Sequence, residues 1–450
     1  MTRILIRGGR LLDPGQDRDD RLDCLIENGR IAAIGAKLPA DGAEIFEAAG
    51  AWVVPGLIDL HAHLRAPGQE YKEDLGSGGA AAVAGGFTQV ACMANTDPVN
   101  DEPSVTMYIL DRAEKDSLAR IRPIAAATRG LAGQVMTEMI ALRNAGAIAF
   151  SDDGATIMDA GVMRRVLEYS TLVDAPVIVH AEDCHLRGHG VVHEGAVATR
   201  LGLPGNPAAA EEIMVARDLR LAEWTGAHLH IAHVSTAGAV ESIRRAREAG
   251  VRVTAEATPH HLTLTDAATM TFDTSTRVAP PLRSAEHVEA LRRGLAEGVI
   301  DAIATDHAPH ATYEKEVEFT EAPPGMIGLE TAVAVCLPLV REGLLSPLEF
   351  VRRLSTNPAR ILGVEGGRLA VGAPADVTVI DPERVWTYDP GRGRSKSRNS
   401  PWADRRFTGA VVATFVGGRL VFHVESGDRP FAGSPTPSLV PNPARAQPES

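Results

Sequence analysis

Eight short apolar runs, separated by helix-like stretches, fill the middle of this 450-residue chain, and that alternation constrains the fold more than any other feature. The runs lie at residues 53–59, 89–93, 122–126, 147–151, 175–180, 228–232, 252–255 and 302–305. Between them, segments such as 211–224, 240–249 and 285–297 read as helices. Strands alternating with helices over about 300 residues predict an α/β fold of the (β/α)8 TIM-barrel type, which takes about 250 residues plus insertions. An open doubly wound sheet is the alternative. No Gly-x-Gly-x-x-Gly follows the first strand, which counts against a dinucleotide site.

The two ends of the chain have another texture. Ile4-Leu5-Ile6 precedes Gly8-Gly9, and Cys24-Leu25-Ile26 precedes Asn28-Gly29. Asn-Gly between apolar runs is a hairpin signal. Residues 375–380 read as a strand, and 410–416 with 419–422 read as a hairpin around Gly417-Gly418. Residues 1–54 and 365–423 are therefore expected to meet in one small composite domain, a β-sandwich, beside a barrel over 55–364. Residues 424–450 are rich in Pro, Ser and Gly, lack apolar periodicity and read as a disordered tail.

A net charge of -13 works against binding to nucleic acid or an anionic membrane. No basic stripe with interleaved aromatics is present. Cys24, Cys92, Cys184 and Cys336 are far apart and form no Cys-x-x-Cys pair, which predicts a reduced, cytoplasmic protein without disulfides. The first residues lack the apolar core of a signal peptide, and no run approaches a membrane span.

Active sites of (β/α)8 barrels lie at the C-terminal ends of the strands. Here those ends carry Asp59-Leu60-His61-Ala62-His63, Ser151-Asp152-Asp153, His180-Ala181-Glu182, His233-Val234-Ser235 and Asp306-His307. Alternation along a strand puts His61 and His63 on one face. Imidazoles and carboxylates together suit Zn2+ and similar ions. A metal with an open position brings the pKa of water from about 15.7 toward about 7, and a nearby carboxylate can carry the proton to a leaving group. The implied reaction class is metal-assisted hydrolysis.

These residues resemble the amidohydrolase superfamily, and more narrowly the dihydroorotases. The resemblance spans the chain to about residue 423. It is carried by 59–68, by Gly85-Gly86-Phe87-Thr88 leading to Met93-Ala94-Asn95-Thr96, and by 150–154, 233–236, 258–262 and 305–310. It implies that His61, His63 and Asp306 are ligands of a first zinc, that His180 and His233 hold a second, and that Asp153 is shared. Many amidohydrolases bridge with a carbamylated lysine, but residues 145–160 contain no lysine, so this chain is similar to the aspartate-bridged type. Alternation sends Asp152 and Asp153 to opposite faces without choosing between them; the resemblance favours Asp153. Asp306 would also be general acid/base. Arg65, two residues past His63, is placed to meet a substrate carboxylate. Asn95, His310 and His63 itself are implied substrate contacts. The implied reaction is reversible closure of N-carbamoyl-L-aspartate to L-dihydroorotate plus water, in pyrimidine synthesis, by a homodimer that can associate with aspartate transcarbamoylase.

Two positions depart from the family pattern. Ala279 stands where Asn commonly precedes Pro-Pro-Leu-Arg, and Pro324-Gly325 replaces an aromatic-Gly pair in the late substrate loop. Other histidines receive plainer readings. His260-His261 is expected to pack or orient neighbours, His185, His189 and His193 to lie in a solvated loop, and His307 to be structural. Asp59 is expected to hydrogen-bond a ligand histidine. Rival functions are allantoinase, dihydropyrimidinase or hydantoinase, and an inactive scaffold for aspartate transcarbamoylase.

Overall fold

The computed structural model describes residues 3–424. The expected tail therefore lies outside the described residues beyond Val424. Eight parallel strands form the central sheet: β1 (Leu57–Ala62), β2 (Phe87–Cys92), β3 (Arg120–Ala125), β4 (Ala149–Ser151), β5 (Val177–Val179), β6 (Leu229–Ile231), β7 (Val253–Ala257) and β8 (Ala302–Ile303). Each strand pairs with the next in sequence order. Helices such as Leu75–Ala84, Ala160–Ser170, Ala208–Thr225, Ala237–Glu248 and Ala285–Ala296 follow the strands and pack around them. This is the (β/α)8 arrangement, and no open-sheet reading is needed.

The barrel closes by side chain as much as by ladder. At the end of β1 Ala62 bridges His307, past β8, and the His63 N–H donates to the His307 carbonyl at 2.8 Å. Asp59 completes the seam. Its carboxylate accepts from the Thr305 N–H at 2.8 Å and the Thr305 hydroxyl at 2.6 Å. This corrects the expectation that Asp59 supports a ligand histidine; it ties the first strand to the last.

The run at 53–59 is two strands, not one. Trp52–Pro55 belongs to the small domain and pairs with 377–380. Gly56 then turns the chain into β1, at a spot so close to Thr88 that a Cβ would lie 2.3 Å from its Oγ1. An uninterrupted apolar run hides that break. The small domain has a four-stranded sheet from residues 3–47 and a six-stranded sheet. The six-stranded sheet unites Arg10–Asp13, Arg18–Arg21 and Trp52–Pro55 with Val377–Thr387, Arg406–Val416 and Arg419–His423. Ile6, Leu11, Val53, Val379 and Phe415 share one core, so both chain ends bury each other's apolar faces. Among the described residues no helix is long and apolar enough to cross a membrane.

Asp59→Ala should leave the Thr305 donors buried without their carboxylate acceptor, at about 1–3 kcal/mol. A fall of that size in denaturant-unfolding stability is expected; an unchanged midpoint would remove Asp59 from the closure.

Candidate metal centre and active site

The carboxyl ends of β1, β4, β5, β6 and β8 deliver six side chains to one buried spot. The Asp153 Oδ1 lies 3.4 Å from His61 Nε2, 3.5 Å from His233 Nε2 and 3.9 Å from His180 Nδ1. Its Oδ2 lies 3.5 Å from His63 Nε2. Asp306 Oδ1 lies 3.3 Å from His63 Nε2 and 3.6 Å from His61 Nε2. His180 Nδ1 and His233 Nε2 are 3.0 Å apart. All six groups are buried. Asp153 thus stands between a pair of histidines from β1 and a pair from β5 and β6. Asp152 points elsewhere and accepts from the Ala127 and Thr128 backbone N–H groups and the Thr128 hydroxyl.

This donor set fits a metal. His61 Nε2 and Asp153 Oδ1 are buried and have no hydrogen-bond partner in the protein. Donor atoms of His61, Asp153 and His233, and of His61, His63 and Asp306, lie within 4.8 Å of one another. Ligand bonds of about 2.1 Å in tetrahedral geometry separate donors by about 3.4 Å, close to the spacings found. Burial pushes both carboxyls up, yet the surrounding imidazoles outweigh it and hold Asp153 and Asp306 below the usual carboxylate range.

Glutamates that sequence reading did not single out orient the histidines. His61 Nδ1 donates to Glu256 Oε1 at 2.8 Å, which turns Nε2 to the centre. Burial pushes the Glu256 carboxyl up, but hydrogen bonds from His230 and His61 prevail and hold it at about 2. His180 Nε2 faces Glu182 Oε2 at 3.5 Å, and Asn206 and Arg187 hold Glu182. His63 Nδ1 donates to Asn95 Oδ1 at 2.8 Å, so Asn95 orients a histidine of the cluster. Glu211 accepts from the Ser235 and Thr236 N–H groups and fixes the loop after His233.

Three residues here adopt left-handed backbone without being glycine: Arg65 (φ 60°), His233 (φ 32°) and Asp306 (φ 47°). Such strain costs of order 1–3 kcal/mol each and persists where neighbours over-determine it. Thr305 is bound to Asp59, and His307 is held between Glu73 Oε2 (3.2 Å) and the Gly328 N–H (3.1 Å), so Asp306 is clamped on both sides.

The wall beside the cluster is basic. Burial lowers the Arg65 guanidinium to about 10, still charged at neutral pH, and its Nε donates to the Pro309 carbonyl. Burial, aided by Arg65, Lys315 and Lys72, lowers His310 to about 2, so its ring is neutral; Nε2 donates to the Pro324 carbonyl at 2.9 Å. Gly325 has φ 134°, and a Cβ there would lie 2.6 Å from that of Ala308. Its carbonyl accepts from Asn399 Nδ2 and Lys315 Nζ, both at 3.1 Å. Ala279 enters Pro280 through a cis peptide, and the Pro280 carbonyl lies 3.0 Å from His261 Nε2.

The remaining histidines divide. His261 is pinned between Thr258 and Pro280, whereas His260 Nε2 is buried without a partner, within the field of Asp306, His233 and His61. His193 is not in a solvated loop: it lies in a short buried strand, Val192–His193, against Arg283 Nη1 at 3.3 Å. His185 lies in a helical turn, Cys184–Arg187, rather than a loop.

The chain matches the Amidohydrolase family over residues 52–421. It is 51% identical to the dihydroorotase of Syntrophus aciditrophicus (strain SB) over 423 residues, covering 93% of this chain and 99% of that relative. It is 53% identical to the dihydroorotase of Pelotomaculum thermopropionicum over 420 residues, covering 93% and 98%. Among solved structures, the L-hydantoinase (dihydropyrimidinase) of Arthrobacter aurescens superposes with a TM-score of 0.83 at 26% identity, covering 94% of this chain and 96% of that one.

Lys315, which staples the Gly325 turn, gives the fold a pH signature. Burial lowers its ammonium from the ordinary 10.5 to about 7. Between those values the unfolded chain holds a proton that the folded protein has released, so stability rises with pH across about 7 to 10.5. Lys315→Met has no proton to lose there and should flatten that rise in denaturation midpoints.

Proposed function

Because the chain belongs to the amidohydrolase family, we infer that it acts as a dihydroorotase, a hydrolase of cyclic amides that interconverts L-dihydroorotate plus water and N-carbamoyl-L-aspartate. The buried, charged Arg65 next to the histidine–carboxylate cluster carries this reading, because the substrate unites a cyclic amide with a carboxylate. His61, His63 and Asp306 would hold one zinc ion, and His180 and His233 a second, with Asp153 shared, for one or two ions per chain. Bound there, the cation supplies Lewis acidity and makes water a nucleophile at neutral pH.

The chain's own groups do the rest. Asp306, kept ionised, takes the proton of the attacking water and returns it to the ring nitrogen as the amide opens; closure runs the same path backwards. Arg65 receives the substrate carboxylate in its planar fork. Asn95 and His310 are assigned to substrate contact besides their bonds to His63 and Pro324. Ala279 and Pro324-Gly325 are assigned to the same contacts, with a smaller residue and a backbone turn in place of side chains usual in the family. The reading places the enzyme in the cytoplasm, in pyrimidine synthesis, as a homodimer able to associate with aspartate transcarbamoylase.

Hydantoinase-type chemistry is the second reading, favoured by the superposed L-hydantoinase (dihydropyrimidinase), but that similarity is 26% against 51% for the dihydroorotase of Syntrophus aciditrophicus. Turnover of dihydroorotate, hydantoin and allantoin measured side by side separates them. Hydantoin hydrolysis without dihydroorotate turnover overturns the first reading. An inactive scaffold is distinguished by elemental analysis, which should find zinc in the purified protein.

Asp306→Ala should lower kcat by about 10²–10⁴-fold through loss of the proton carrier alone; wild-type turnover would strip Asp306 of that role. Arg65→Ala should raise KM for dihydroorotate with zinc content unchanged. An unaltered KM would place the carboxylate elsewhere.

A further inference from the structure

Below the cluster, a line of polar side chains continues toward the amino ends of the strands. Glu256 on β7 takes His61 Nδ1 on one oxygen (2.8 Å) and His230 Nε2 on the other (3.1 Å). His230 Nδ1 meets Thr254 Oγ1 at 2.8 Å, and the same hydroxyl meets His228 Nε2 at 2.9 Å. Glu256 and His230 have no solvent exposure. Three of these links are side chain to side chain within or between β6 and β7 and the residue just before β6, where a barrel strand interior is ordinarily filled by branched apolar residues.

The donor accounting leaves little freedom. An ionised Glu256 accepts only, so His61 Nδ1 and His230 Nε2 must both donate to it. His230 Nδ1 then needs Thr254, whose hydroxyl can give or take, with His228 in the complementary role. Each member fixes the ring orientation of the next. The chain ends at His61, whose Nε2 has no partner in the protein.

We propose that Thr254, His230 and Glu256 are positioning residues that lock His61 in its Nδ1–H tautomer and so present its Nε2 lone pair to the metal. The proposal rests on reading His61 as a ligand. Partners of this kind, when removed, cost about 10–100-fold in metal affinity.

The test measures zinc dissociation constants of the full chain by chelator competition, with 15N chemical shifts of the histidine rings as a tautomer readout. Glu256→Gln should weaken zinc binding about 10–100-fold. Thr254→Val, which keeps the shape but lacks the hydroxyl, should weaken it several-fold and shift the His230 and His61 ring nitrogens. Thr254→Ser should restore wild-type affinity and shifts. Wild-type affinity in Thr254→Val, or equal losses in Thr254→Val and Thr254→Ser, overturns the relay while leaving the metal reading in place. A wild-type protein that binds no zinc overturns both.

Discussion

A carboxylate buried among imidazoles sets the terms for the rest of this molecule. Asp153 is buried, and an unpaired buried charge costs several kcal/mol. Its neighbours come from β1, β5 and β6, so a local motif cannot supply them. Only a closed barrel brings those strand ends within 4 Å of one oxygen pair. The closure therefore matters to the chemistry directly. Asp59 joins β1 to the segment that carries Asp306, so a seam in the fold and the position of the proposed proton carrier are one feature.

Around this centre the supporting shell is largely acidic. Glu256 behind His61, Glu182 behind His180 and Glu73 behind His307 each face an imidazole. Carboxylates on the far side of ligand histidines make the rings more basic and fix which nitrogen faces inward. The strained residues fit the same pattern. Left-handed backbone at His233 and Asp306 aims side chains that an ordinary strand end would send away, and the bonds to Glu211, Asp59 and Glu73 hold them there.

Much of this was legible in the chain, for a physical reason. A polar group directly after an apolar run emerges at the strand's end, and that rule brought out His61, His63, His180, His233, Asp306 and the Asp152-Asp153 pair, of which only the family resemblance favoured Asp153; the fold gathers Asp153 and the other five in one place and turns Asp152 away. Glu256 escaped it because it lies inside a strand, where a carboxylate resembles an ordinary polar interruption until its two histidine partners are in view. Asn399 escaped because it comes from a loop far along the chain that only tertiary contact brings to Gly325, and Lys315 because a lysine ending a short helix, Thr312–Lys315, reads as a solvated charge. The break at Gly56 was invisible for the opposite reason: both strands beside it are buried, so hydropathy never drops. His193 was misread because the nearby Gly188 and Gly190 suggested a loop, whereas the strand Val192–His193 and its contact with Arg283 bury it.

The split small domain has a consequence for synthesis. Trp52–Pro55 and Arg10–Asp13 belong to a sheet whose partners at Val377–Thr387 and Arg406–Val416 are translated only after the whole barrel. At about 5–20 residues per second, the early strands wait on the order of tens of seconds beside the ribosome with an open edge. Unpaired edges of that kind invite pairing with other chains. The barrel, made entirely in the interval, can fold first and hold the waiting strands next to the exit of their partners. A nascent chain that stalls before residue 377 would thus carry an open sheet edge together with a barrel still lacking Asn399, whose side chain holds the Gly325 carbonyl beside the site.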